Sequence, residues 1–200
     1  DHETLRRWLS GAGLWEKQRK RPKHRQWREP KAHFGELVQL DGSHHRWFEE
    51  RGEKGCLMDM VDDATGRTLG IMSEEETTVA AMEVLMAWIE KYGIPKALYT
   101  DWKNVYLTQR EPSLEEQLSG ELPLTQFGRA CQKLDIEIVP ASSPQAKGRV
   151  ERKHRVYQDR WVKELRLAGI SDVEAANQFL PGFAEKLNAR FSKEPRSFAD

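Results

Sequence analysis

Three acids in this chain stand where carboxylates can act together. Asp41 closes the short apolar run Leu37-Val38-Gln39-Leu40, Asp101 closes Ala97-Leu98-Tyr99-Thr100, and Glu151 lies about one turn into a segment of strongly helical pattern. If the two strands that those runs imply are neighbours, Asp41 and Asp101 lie side by side at one sheet edge, and the helix can set Glu151 across from them. Three carboxylates packed so closely repel one another unless cations neutralise them. Hard oxygen donors that leave positions open suit Mg²⁺ or Mn²⁺. Two such ions about 4 Å apart can activate a water or a 3′-hydroxyl and stabilise the leaving oxygen of an in-line phosphoryl displacement. With 32 Asp and Glu in 200 residues the spacing alone is unselective, and each acid has an ordinary reading as a strand-end turn residue or a solvated helix acid.

The elements that must position these acids follow from pattern. Leu37–Leu40, Lys54–Asp62 and Arg67–Ser73 read as strands, with Gly42 ending the first. Between the second and third, Asp62-Asp63-Ala64-Thr65-Gly66 is turn chemistry and makes a hairpin. A helix over 77–92 carries apolar residues at 82, 85, 86 and 89 and ends at Gly93 and Pro95. Residues 97–100 form a strand, 102–124 an insertion without clear period, 126–134 a helix and 136–139 a further strand. After a loop at 140–148, Val150, Tyr157, Trp161 and Leu165 share one helical stripe, which assigns Tyr157 and Trp161 to core packing. Ser171-Asp172-Val173-Glu174 has capping-box spacing and opens a last helix that Pro181 should kink. This order predicts an antiparallel meander continued by parallel strands, a mixed sheet with helices on both faces.

Charge is balanced overall but segregated along the chain. Seven Lys/Arg and no acid fall between Lys17 and Arg28, and eight Lys/Arg between Lys147 and Arg166 face only Glu151, Asp159 and Glu164. The acids gather at 49–53, 74–76 and 111–121, where Glu111, Glu115, Glu116 and Glu121 read as solvated. Such segregation offers a basic face to phosphates, and its plain alternative is two solvated basic surfaces. His44 and His45 are read with Arg46, Trp47 and Phe48 as a hairpin tip, and Asp59, Asp62 and Asp63 as strand and turn residues.

Composition sets the outer bounds. Hydrophobic residues make up 38% of the chain, with seven Trp and seven Phe, which suits one domain with a packed core plus a short appendage. Mean hydropathy is −0.77. No apolar run approaches the roughly 20 residues of a membrane span. Cys56 and Cys131 form neither a disulfide framework nor a zinc pattern, and with no leader pattern they suggest free thiols in a reducing cytoplasm.

Three strings narrow the reading. Val38-Gln39-Leu40-Asp41-Gly42-Ser43, Tyr99-Thr100-Asp101 and Ser143-Pro144-Gln145-Ala146-Lys147-Gly148-Arg149-Val150-Glu151-Arg152 resemble the three catalytic boxes of the retroviral-integrase-like DDE transposases, the last being the most specific. The similarity runs from about Gly35 to Ser192, takes in Asp62-Asp63-Ala64-Thr65-Gly66 and Leu187-Asn188-Ala189-Arg190-Phe191, and is nearer to bacterial insertion-sequence transposases than to retroviral integrases. The resemblance implies an α/β, ribonuclease-H-like fold: a mixed five-stranded sheet, three strands antiparallel plus two parallel, flanked by helices. It implies Asp41, Asp101 and Glu151 as catalytic residues and ligands of two Mg²⁺ (or Mn²⁺) ions, acting in DNA end cleavage and strand transfer. It implies double-stranded DNA as partner, both transposon ends and target, a homo-oligomer assembled on that DNA, and action at the bacterial nucleoid.

Residues 1–33 are then the end of an upstream DNA-binding module and a basic linker, and 34–200 the catalytic core with its insertion at 102–124. Lys147, Arg149, Arg152, Lys153 and Arg155, which flank Glu151, are expected to contact DNA, as are Lys20, Arg21, Lys23 and Arg25 of the arm. Two departures stand out. The 49 residues between Asp101 and Glu151 exceed the family's common spacing, and Trp102-Lys103-Asn104 replaces the usual Asn-Gly after the second acid. Two alternatives stay open: a ribonuclease-H-like nuclease that only hydrolyses, and a domesticated DNA-binding protein without catalysis.

Overall fold

In the computed structural model of the chain, residues 1–14, 29–108, 110–119, 123–141 and 148–197 are described. A helix α1 (His2–Gly11) opens the chain, and none of its residues is buried. The strands β1 (Val38–His45), β2 (Gly55–Asp62), β3 (Thr68–Ser73), β4 (Ala97–Thr100) and β5 (Glu137–Pro140) form one sheet in the order β3-β2-β1-β4-β5. The pairs β1–β2 and β2–β3 are antiparallel, and β1–β4 and β4–β5 are parallel. This is the mixed arrangement that the element order predicts. β2 is buried at every residue because helices cover both faces of the sheet beside it.

Beyond β3 the chain enters α2 (Thr78–Tyr92), whose N-cap Thr77 accepts from the Ala80 amide at 3.1 Å, and Gly93 ends it. Its buried line is Ala80, Ala81, Val84, Leu85 and Trp88, which keeps Leu85 of the predicted stripe but not 82, 86 or 89. Met82 and Ile89 pack at the margin and Met86 is exposed. The two alanines, weak in a hydrophobic pattern, give the helix a flat face that can come close to the sheet. α3 (Leu114–Ser119) lies inside the predicted insertion, and α4 (Gln126–Lys133) leads to β5. α5 (Gly148–Val156) continues through a π-helical segment, Tyr157–Trp161, into α6 (Val162–Leu167). α7 (Val173–Phe191) closes the fold; it is capped by Asp172 rather than Ser171 and runs unbroken through Pro181.

Two apolar cores result. One joins the sheet's Val38, Leu40, Met58 and Met60 to α2, with Tyr106 and Phe127. The other joins Leu57 and Met72 to Tyr157, Trp161, Leu165 and the α7 residues Leu180 and Phe183. α7 also covers the free edge of β3. Asn188 donates to the Thr68 carbonyl and accepts its amide, both at 2.8 Å, and Asn177 does the same at Met72, at 2.8 and 2.6 Å.

The first strand runs further than its sequence pattern suggests, and this bears on the site. Gly42 does not end β1; the strand pairs with β2 as far as His45, so His44 and His45 lie on a strand and not at a hairpin tip. Gly42 is there for close approach: a Cβ on it would meet Glu76 Oε2 at 2.5 Å and Cys56 Sγ at 2.9 Å. Asp41 therefore sits in the middle of β1, just past the residues that pair with β4.

Candidate active site

The parallel register brings the first two acids together. Val38 pairs with Leu98 and Gln39 with Tyr99, and the same register continued past Leu40 and Thr100 sets Asp41 alongside Asp101. Their carboxylates converge on one cation. Lys103 Nζ is 3.8 Å from Asp41 Oδ1 and 4.0 Å from Asp101 Oδ2.

Lys103 is fixed in turn by Glu76, the residue before the α2 cap. Nζ donates to Glu76 Oε2 at 2.6 Å, and Tyr106 Oη donates to Glu76 Oε1 at 2.9 Å. The Glu76 side chain is only 6% exposed. Burial alone would lower the Lys103 pKa, but the hydrogen bond and charge of Glu76, with Asp41 and Asp101, hold it above its ordinary value. Burial and the same Glu76 carboxylate push the Tyr106 hydroxyl far up, so it remains a donor. Nothing in the sequence singles out Glu76 among the neighbouring acids Glu74 and Glu75, and only the fold draws it beneath Gly42.

The third acid, Glu151, is exposed on the first turn of α5. One turn on, His154 is buried, with Nδ1 4.0 Å from Asp41 Oδ2 and Nε2 3.9 Å from Asp59 Oδ2. Residues three apart are neighbours on a helix surface, so Glu151 and His154 are adjacent on α5. The start of the helix is tied down by a residue that sequence reasoning passed over. Gln39, fully buried two positions before Asp41, accepts the Val150 amide at 3.1 Å and donates to Asp63 Oδ1 at 3.0 Å. Arg149 Nε donates to that same oxygen at 2.8 Å.

Asp59 lies opposite Asp41 in the β1–β2 ladder. It accepts from the Thr68 hydroxyl, and its Oδ2 has no hydrogen-bond partner among the described residues. Burial pushes its pKa to about 8 despite Thr68 and nearby Lys153. Asp62 acts as the turn residue predicted, accepting the Thr65 amide and hydroxyl, both at 2.7 Å.

The residues predicted to contact DNA divide. Arg149 is engaged with buried Asp63, and the Lys153 ammonium is buried without a hydrogen-bond partner among the described residues, which lowers its pKa. Arg152 and Arg155 are exposed on α5. Lys147 and the arm residues Lys20, Arg21, Lys23 and Arg25 lie outside the described residues.

Among the described residues, His44, Cys56 and Glu76 have ligand atoms within 4.8 Å of one another. Burial holds the Cys56 thiol up at about 12, and Glu76 is already bonded by Lys103 and Tyr106. The oxygen donors that suit hard cations are the neighbouring Asp41 and Asp101. Both cysteines are free and buried, and no helix among the described residues is long and apolar enough to cross a membrane.

Comparison with known proteins decides the relationship. The chain is 42% identical over 194 residues, 96% of its length, to a Sinorhizobium fredii (strain NBRC 101917 / NGR234) protein named as transposase y4bF, covering 41% of that protein. It is 36% identical over 170 residues, 84% of its length, to the transposase for insertion sequence IS1202 of Streptococcus pneumoniae, covering 36% of that protein. The chain is a homologue of the insertion-sequence transposases. It spans about two-fifths of the length of these relatives. No family model matches this transposase homologue. The HTLV-2 integrase catalytic core domain, solved in complex with magnesium, superposes with a TM-score of 0.55 at 19% identity, over 74% of this chain and 83% of that one. That likeness shows the fold, ribonuclease-H-like as the three boxes imply.

Proposed function

We propose that this chain is the catalytic core of a metal-dependent DNA transposase, with Asp41, Asp101 and Glu151 as its catalytic carboxylates. The observation that carries the reading is the convergence of the Asp41 and Asp101 carboxylates on the Lys103 ammonium, 3.8 and 4.0 Å away. Two acids brought side by side from separate strands create a demand for positive charge, and here a side chain answers it. The donor set fits Mg²⁺ or Mn²⁺: Asp41, Asp101 and Glu151 would hold them, and such ions supply Lewis-acid charge to the attacking and leaving oxygens of a phosphodiester.

The chain's own residues do the positioning. Gln39 fixes the start of α5 to β1 through the Val150 amide, and so places Glu151 relative to Asp41. His154 packs between Asp41 and Asp59 and sets the lateral position of the helix. The exposed Arg152 and Arg155, with Lys147 and the arm residues Lys20, Arg21, Lys23 and Arg25, would contact DNA phosphates on either side of the scissile bond. In the proposed reaction, water attacks the phosphorus at a transposon end and a 3′-oxygen leaves. That 3′-hydroxyl then attacks a target phosphodiester and joins the strands. Joining needs two ends held together, which calls for more than one copy on the DNA.

The test is a cleavage and joining assay on labelled transposon-end duplexes, run with Asp41→Asn, Asp101→Asn and Glu151→Gln. Each variant should still bind DNA while losing both cleavage and joining by about a hundredfold or more. A chain that cleaves but never joins a pre-cut end is a hydrolytic nuclease. Activity that survives all three substitutions rejects the assignment.

A further inference from the structure

The segment Trp102-Lys103-Asn104, where the chain departs from the family's pattern, takes no part in the reaction just proposed. In the fold its lysine is held at the site by several contacts. Lys103 Nζ donates to Glu76 Oε2 at 2.6 Å while lying within 4.0 Å of both Asp41 and Asp101. Glu76 is held from its other oxygen by Tyr106, and it fits only because Gly42 has no side chain, since a Cβ there would meet Oε2 at 2.5 Å. A lysine on an open surface wanders and its ion pairs count for little. This one is aimed by a carboxylate that is 6% exposed and bonded on both sides.

We propose that Lys103, anchored by Glu76, is a resident counter-ion of the Asp41–Asp101 pair, holding the two acids together before a divalent ion arrives and competing with that ion for them. The proposal rests on the metal-dependent reading above. An ammonium within 4.0 Å of both carboxylates repels any second cation that approaches them. The lysine stem is flexible enough to withdraw, and Glu76 gives the ammonium a partner to stay with when it does. Metal affinity is then set below that of two bare carboxylates, and Lys103 tunes it.

The test measures Mn²⁺ binding to the full chain without DNA, by the electron paramagnetic resonance signal of free Mn²⁺. Lys103→Met keeps the stem and removes the charge; it should bind Mn²⁺ about tenfold more tightly than the parent. Lys103→Gln serves as the second variant if the first fails to fold, as judged by circular dichroism. Glu76→Gln loosens the anchor and leaves the ammonium to the two aspartates, so Mn²⁺ should bind more weakly. The double variant Glu76→Gln/Lys103→Met should then bind as Lys103→Met does. Asp41→Asn controls for the underlying reading. If it abolishes Mn²⁺ binding while the Lys103 variants bind no more tightly than the parent, the counter-ion role is wrong and the metal site stands. If Mn²⁺ binding is indifferent to Asp41→Asn and Asp101→Asn, both ideas fall together. A double variant as weak as Glu76→Gln alone would show that Glu76 acts without Lys103 and overturn the anchoring.

Discussion

Asp41 and Asp59 face one another across the β1–β2 ladder, one beside Asp101 and Lys103, the other fully buried beneath α5. Like charges directly opposite in a sheet are unfavourable, and burial relieves the conflict by keeping a proton on Asp59.

That proton makes stability depend on pH. The native carboxyl titrates at about 8 against 3.8 for the unperturbed group, so between those values the folded chain holds a proton that the unfolded chain has released. Stability from this group is complete below about pH 4 and is lost as pH rises toward 8. Asp59→Asn keeps an acceptor for Thr68 and removes the titration. It should be more stable than the parent at pH 8, by roughly 5 kcal/mol, and nearly equal at about pH 4. Urea unfolding at the two values checks this; a variant with the parent's full pH slope would mean that another group is responsible.

Gly42→Ala tests the close approach of Glu76 to β1. The added methyl would meet Glu76 Oε2 at 2.5 Å and Cys56 Sγ at 2.9 Å, and the carboxylate is not free to swing away because Lys103 and Tyr106 hold it. A destabilisation of about 1–3 kcal/mol is expected in chemical denaturation. A neutral result would show that Glu76 relocates at no cost.

Gln39→Leu should loosen the placement of Glu151. The substitution removes the acceptor for the Val150 amide and the donor to Asp63 Oδ1, both buried. Stability should fall by about 1–3 kcal/mol. Amide exchange over residues 148–152 should quicken, and DNA cleavage should slow with DNA affinity unchanged. If exchange there stays at the parent rate, the α5 start is held by other means.

Arg152→Ala and Arg155→Ala, made together, probe the exposed face of α5. Binding to duplex DNA should weaken alike for all sequences, and the logarithmic salt dependence should become shallower by roughly 0.9 for each phosphate no longer neutralised. Unchanged slope would place the DNA elsewhere.

Much of this architecture was legible in the residues, because the apolar runs at 37–40, 54–62, 67–73, 97–100 and 136–139 each became strands. The stripe Val150, Tyr157, Trp161 and Leu165 is buried as read. What escaped are features made by tertiary approach. Gly42 looked like a strand breaker because glycine is permissive, yet its use is to admit Glu76. Glu76 is one of a run of three acids in the sequence, and nothing local marks it for Lys103. Nothing in the sequence marks His154, and only the sheet beneath it shows that it packs between Asp41 and Asp59. The α2 line shifted because alanine contributes closeness rather than hydrophobicity. The pairing of Asn177 and Asn188 with the edge of β3 has no periodic signature at all.

The most direct measurement is anomalous diffraction at the manganese edge from crystals of this chain soaked in Mn²⁺. The account predicts peaks at coordination distance, about 2.1–2.3 Å, from carboxylate oxygens of Asp41 and Asp101, with Glu151 completing the site. Manganese bound only by His44, Cys56 and Glu76, or no peak beside Asp41 and Asp101, would contradict it.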